Sequence, residues 1–137
     1  MAAAIIVEER PFRAASGMHQ ITGFSPRANL TREMQTGLID TLTVPEESKA
    51  AFLAETRKIQ TFFKSLPGFI EGFVYEKTAG DNRINMVTTA VWENDVAMES
   101  AKKATAAQFQ KIGVNPQQIM KELKAEAGRA VFRRTPY

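Results

Sequence analysis

A sheet of four antiparallel strands with helices packed on one face is the fold this chain predicts, and three observations carry it. Apolar residues recur at helical spacing in two stretches, 45–66 and 94–113. Period-two or doubly apolar runs at 37–44, 69–77, 84–92 and 129–134 flank them as strands, giving the order strand, helix, strand, strand, helix, strand. A short polar loop, Thr78-Ala79-Gly80-Asp81-Asn82, makes the middle strands an antiparallel pair. That order closes as a ferredoxin-like α+β sandwich.

In the first strand Leu38, Asp40, Leu42 and Val44 alternate against Ile39, Thr41 and Thr43, so one face is richly apolar and Asp40 is its odd member. Pro45 is suited to a first helical turn, and Glu46 and Glu47 put negative charge at the positive end of the helix dipole. A helix is expected from there, burying Phe52, Ile59, Phe63 and Leu66 with Thr56 filling a gap in the stripe. Pro67-Gly68 ends it. The next strand, 69–77, carries Phe69, Phe73 and Tyr75 on one alternating set and Ile70 and Val74 on the other, as expected of a strand covered on both sides.

After the polar loop, Ile84, Met86 and Trp92 run opposite in phase to Val87 and Val91. Asn94 is the expected N-cap of a second helix with Met98, Ala101, Thr105, Phe109 and Ile112 on its inner face, closed by Gly113. Asn115-Pro116 opens a shorter helix containing Ile119 and Leu123, and Gly128 precedes a last strand. Residues 1–34, broken by Pro11, Gly17, Gly23 and Pro26, read as an N-terminal extension, and 35–137 as the domain. Helices cover only one face of the sheet, while its central strands are apolar on both. A second copy packed back to back, a two-fold homodimer, is the expected cover.

With 137 residues the chain is one domain, and 44% hydrophobic with 24% charged residues is a globular composition. No apolar run is long enough to span a bilayer, so no membrane partner is expected. Met1 to Val7 is apolar, but Glu8, Glu9 and Arg10 follow at once, which is wrong for a secretory signal; the cytoplasm is the expected compartment. The absence of cysteine removes thiolate chemistry, and a single histidine removes a multi-histidine metal site within one subunit. The net charge of +3 is spread among mixed acids and bases, so nucleic-acid binding is not expected. The densest basic cluster, Arg129, Arg133 and Arg134, reads as a solvated edge strand guarded by charge.

Leu42-Thr43-Val44-Pro45-Glu46 leading into a helix, Leu66-Pro67-Gly68-Phe69-Ile70 entering a strand, and Val91-Trp92-Glu93-Asn94 opening a helix that contains Phe109 together resemble the antibiotic biosynthesis monooxygenase family over residues 36–134. The resemblance implies a homodimer closed into an α/β barrel, with a ligand pocket between the helices and the sheet face they cover. Its members include cofactor-independent oxygenases of quinols and polyketide anthrones, haem-degrading enzymes and isomerases, and fold alone does not choose among them.

Within that pocket Asp40 is the candidate base, because a buried carboxylate with a raised pKa can accept a proton near neutrality. Paired or solvated, it is structural instead. His19, the one imidazole, is the candidate proton shuttle, against the bland reading of an exposed loop residue. Trp92, Tyr75, Phe52 and Met86 are the candidate substrate-binding residues, with a core anchor, a strand interface and ordinary core packing as their structural alternatives. The haem-degrading relatives carry an iron-ligating histidine shortly after the helical phenylalanine. Here Phe109 is followed by Gln110-Lys111-Ile112-Gly113, so that activity is not expected.

The resulting expectation is a cofactor-independent, monooxygenase-like oxidoreductase acting on a small aromatic compound of quinol or anthrone type, with no metal. A non-catalytic dimeric module for a small apolar ligand, and an isomerase or lyase of the same fold, are the alternatives.

Overall fold

A computed structural model describes residues 34–136. Strand β1 (Thr36–Thr43) is followed by a single 3-10 turn at Glu46–Ser48, helix α1 (Lys49–Phe63), β2 (Phe69–Glu76), β3 (Met86–Trp92), α2 (Asp95–Ile112), α3 (Pro116–Leu123) and β4 (Glu126–Arg133). The strands form one antiparallel sheet in the order β2-β3-β1-β4. This is the expected ferredoxin-like α+β arrangement.

Local chemistry explains most element ends. Pro45 precedes the 3-10 turn, and the α-helix proper begins at Lys49, later than its proline alone predicts. Lys49 Nζ sits 2.7 Å from Glu46 and 2.9 Å from Glu76, tying that turn to β2; hydrogen bonds to Glu46 and then Glu76 hold its ammonium pKa above the ordinary value. The Asn94 side chain accepts from Ala97 N at 2.8 Å to start α2. Gly113, at φ 71°, ends it in the left-handed conformation, and the Val114 N–H returns to the Phe109 carbonyl at 2.9 Å. Asn115 accepts from Gln117 N and Gln118 N to start α3, with Pro116 in the first turn.

Three further details differ from expectation. The third strand starts at Met86, because Asn85 is engaged sideways: its Oδ1 accepts from Val44 N at 2.8 Å and its Nδ2 donates to the Val44 carbonyl at 2.7 Å. Gly128 lies inside β4, opposite Thr41, rather than before it. A bulge between Phe69 and Glu71 breaks the period of two in β2. Phe69 therefore turns toward the helices, meeting Trp92 and Phe63 with ring centroids 5.1 and 6.0 Å away, while Phe73 and Tyr75 keep the opposite face.

The core between helices and sheet has two apolar clusters. One comprises Leu38, Ile59, Phe63, Ala90, Trp92, Met98, Ala101 and Phe109; the other, Leu42, Val44, Phe52, Met86 and Met120. The other sheet face is open in the single chain. Phe73, Tyr75 and Phe132 are about half exposed there, beside half-buried Ile39, Val87 and Val91.

Candidate functional site

Three elements each interrupt a buried apolar stripe with one polar residue. On β1 it is Asp40, between Leu38 and Leu42; on β3, Thr88, between Met86 and Ala90; on α1, Thr56, between Phe52 and Ile59. In every case one flanking apolar residue belongs to the first cluster and the other to the second. The polar residues thus form a seam between the two halves of the core. Asp40 is the register partner of Thr88 on β3 and of Arg129 on β4.

Asp40 is committed within this seam. Arg129 Nε donates to its Oδ1 at 2.8 Å and Nη2 donates to its Oδ2 at 3.2 Å, a two-pronged ion pair in which the Asp40 and Arg129 side chains are 1% and 3% exposed. The reading of Arg129 as a solvated edge residue is therefore corrected. Its phase on β4 aims it under the helices, where only a carboxylate makes a guanidinium tolerable. Nor are its neighbours idle: Arg133 reaches Asp95 at 2.8 Å and Arg134 bonds Gln35 at 3.0 Å.

The structure groups some sequence candidates and separates others. Phe52 and Met86 pack together in the second cluster. Trp92 is 1% exposed at the far end of the first, its ring edge-on to Phe63 at 5.3 Å, and Leu38 and Ala90 lie between it and Asp40 on that face. Tyr75 is on the open face, 6.2 Å from the Phe73 ring. His19 lies outside the described residues.

A cavity of about 210 Å³ opens between α1 and α2. Its apolar walls are Ile59, Phe62, Phe109, Ile112 and Val114, with Thr105 and Gln108 at one side and Glu55 and Lys58, 3.1 Å apart, at the rim. Ile59 and Phe109 belong both to this wall and to the cluster that holds Trp92. Two buried polar atoms lack a hydrogen-bond partner among the described residues: Trp92 Nε1 and Thr56 Oγ1. Native interiors rarely leave such atoms without a partner, which makes them candidates for ligand contact. Neither Thr56 nor Arg129 stood out in the sequence as a site residue. The break that Thr56 makes in the α1 stripe was the visible signal.

These elements define a class: a single ferredoxin-like sheet, with its helices on one side, a small cavity between them and an apolar face on the other side. It is the fold of antibiotic-biosynthesis-type monooxygenase structures. No family profile matches the chain and no curated protein matches it in sequence. Among solved structures it is similar to a mutant form of SnoaB, a cofactor-independent oxygenase from Streptomyces nogalater, at 19% identity over 72% of this chain and 91% of that one, TM-score 0.55. It is also similar to an antibiotic biosynthesis monooxygenase candidate from Deinococcus radiodurans, at 16% identity over 74% and 94%, TM-score 0.57. A third is the heme-degrader MhuD from Mycobacterium tuberculosis, at 17% identity over 72% and 93%, TM-score 0.55.

The turn of α2 after Phe109 offers Gln110, Lys111 and Ile112 and no imidazole, so these residues do not fit a haem held from that helix. Among the described residues no group of three or more potential metal-ligating side chains comes together, and no helix is long and apolar enough to cross a membrane.

Proposed function

We propose that this protein is a cofactor-independent, monooxygenase-like oxidoreductase that oxidises a small aromatic compound of quinol or anthrone type, acting in the cytoplasm as a homodimer. The observation that carries the reading is the apolar cavity between α1 and α2, set against a core whose Trp92 indole N–H has no partner among the described residues. The likeness in fold to a cofactor-independent oxygenase supports the same reading.

The chemistry asks little of the protein. Loss of a proton from an anthrone gives an anion that passes one electron to dioxygen; recombination gives a peroxide, and loss of water leaves the quinone, so one oxygen atom enters the product and the other leaves as water. Ile59, Phe62 and Phe109 keep the anion dry. Asp40 is the proposed base, and in this reading it takes the proton only as its ion pair with Arg129 opens, a cost that the pairing imposes on the step. As the proton moves to Asp40, the negative charge moves to the substrate, and Arg129 remains the counter-ion. His19 is the proposed proton relay. Tyr75 lies with Phe73 and Phe132 on the open face, which in this reading is buried against a second copy to close the α/β barrel.

The internal pairing of Asp40 specifically favours a second reading, a dimeric module that binds a small apolar ligand without turning it over. Oxygen uptake with a panel of quinols and hydroxyanthrones separates the two. An oxygenase consumes one dioxygen per anthrone, and Asp40→Asn lowers the rate by roughly 10²-fold or more in protein shown by circular dichroism to be folded. Binding by equilibrium dialysis with no uptake on any panel member refutes the oxygenase and leaves the module.

A further inference from the structure

Among the described side chains that line the cavity between α1 and α2, Glu55, Lys58, Thr105 and Gln108 are the ones with polar ends. Three of them are committed elsewhere. Glu55 and Lys58 pair with each other at 3.1 Å on the rim, and the buried Thr105 hydroxyl donates to the Ala101 carbonyl at 2.6 Å. Gln108 is half-buried, and its amide has no hydrogen-bond partner among the described residues. Its place in the wall follows from the helix: Thr105, Gln108, Phe109 and Ile112 stand at i, i+3, i+4 and i+7, so one face of α2 presents all of them to the cavity. An apolar wall interrupted by one uncommitted amide, which both donates and accepts, has the composition of a site that orients its ligand by a single polar group.

We infer that Gln108 is a specificity-determining residue: its amide selects, among small aromatic ligands of this cavity, those bearing a hydroxyl or carbonyl oxygen over their hydrocarbon isosteres. This rests on the proposal that the cavity takes a small aromatic ligand, and it goes further by naming the polar group and the side chain that reads it. Gln108 has no internal bond to give up, so its amide exchanges only water for the ligand oxygen, donating to a carbonyl or accepting from a hydroxyl. An analogue without that oxygen leaves the amide unpaired against an apolar ring, which is the source of the discrimination. A cavity of about 210 Å³ lies below the usual range for larger ligands, which suits a compound of one or two fused rings.

The test measures binding of 1-naphthol and 1-methylnaphthalene, which differ by a hydroxyl for a methyl, to the full-length protein by equilibrium dialysis, for wild type and for Gln108→Met. Methionine keeps the length of the side chain and removes both polar atoms. The readout is the ratio of the two affinities, because the greater hydrophobicity of the methyl compound then cancels between the two proteins. Gln108→Met is expected to lower the naphthol-to-methylnaphthalene ratio about fivefold, by weakening 1-naphthol while 1-methylnaphthalene binds at least as well. An unchanged ratio overturns the inference, as does a fall in both affinities by the same factor. Stability is the second readout. With no internal hydrogen bond to lose, Gln108→Met is expected to melt within about 3 °C of wild type, so a variant that melts much lower or fails to fold shows an internal role and overturns the assignment. If wild type binds neither compound, the cavity proposal itself fails and takes this one with it; a ratio that survives Gln108→Met sinks this one alone.

Discussion

Replacing Arg129 by methionine removes one half of a buried ion pair and leaves the other where water does not reach. Both carboxylate oxygens of Asp40 are engaged by Arg129, at 2.8 and 3.2 Å, and exposures of 1% and 3% leave solvent almost no part in screening the pair. The discount that applies to surface pairs, worth about 0–1 kcal/mol, therefore does not apply. Stranding a buried carboxylate costs about 3–5 kcal/mol, a large share of the roughly 5–15 kcal/mol that holds a domain together. Asp40→Leu combined with Arg129→Met removes both charges and returns stability to near wild type, because neither ion is then left to desolvate alone. Urea denaturation followed by far-ultraviolet circular dichroism measures all four corners of the cycle. A loss below about 1 kcal/mol for Arg129→Met, or a double variant no better than the single, refutes the reasoning that this pair is a desolvated unit.

Gln60 of α1 lies directly over Gly72 of β2: a Cβ there would meet Gln60 Oε1 at 2.1 Å and the Thr89 carbonyl at 2.9 Å. Gly72→Ala is expected to cost about 1–3 kcal/mol by denaturation, with only partial rescue from Gln60→Ala because the backbone contact stays. Asn94→Ala frees the Ala97 N–H and is expected to cost about 1 kcal/mol in a thermal melt, with no shift marking the cap as dispensable. Light scattering is expected to give twice the 15.2 kDa chain mass for wild type and the single mass for Phe73→Asp combined with Tyr75→Glu; a monomeric wild type removes the dimer.

The sequence revealed what is decided locally. Asn94, Gly113 and Asn115-Pro116 mark helix ends because their side chains and backbone freedom act on the nearest turn, and each cap formed where expected. The alternation of β1 showed its buried face, Asp40 included. What stayed hidden depends on distant partners. Asp40 and Arg129 are 89 residues apart, and only the β1–β4 register makes them opposite neighbours. An arginine near the end of a chain ordinarily signals solvent, so its burial could not be read without that register. The phase of Phe69 was hidden for a different reason: a one-residue bulge transfers a side chain from one face to the other without leaving a mark in composition. The cavity lies between the two helices, where the family resemblance implies a pocket between helices and sheet, and it belongs to no single stretch of chain.

Trp92 is the single tryptophan of the chain, and it sits edge-on to Phe63 and Phe69 in only one of the two apolar clusters. Its fluorescence therefore reports optically on half of the core while the Leu42–Phe52–Met86 half stays dark. Following emission and far-ultraviolet circular dichroism through one denaturant titration asks whether the halves melt together across the polar seam. Coincident curves mean that the two halves melt as one cooperative unit. Emission that changes first means the Trp92 half opens by itself, a local motion that would admit a ligand without unfolding the domain.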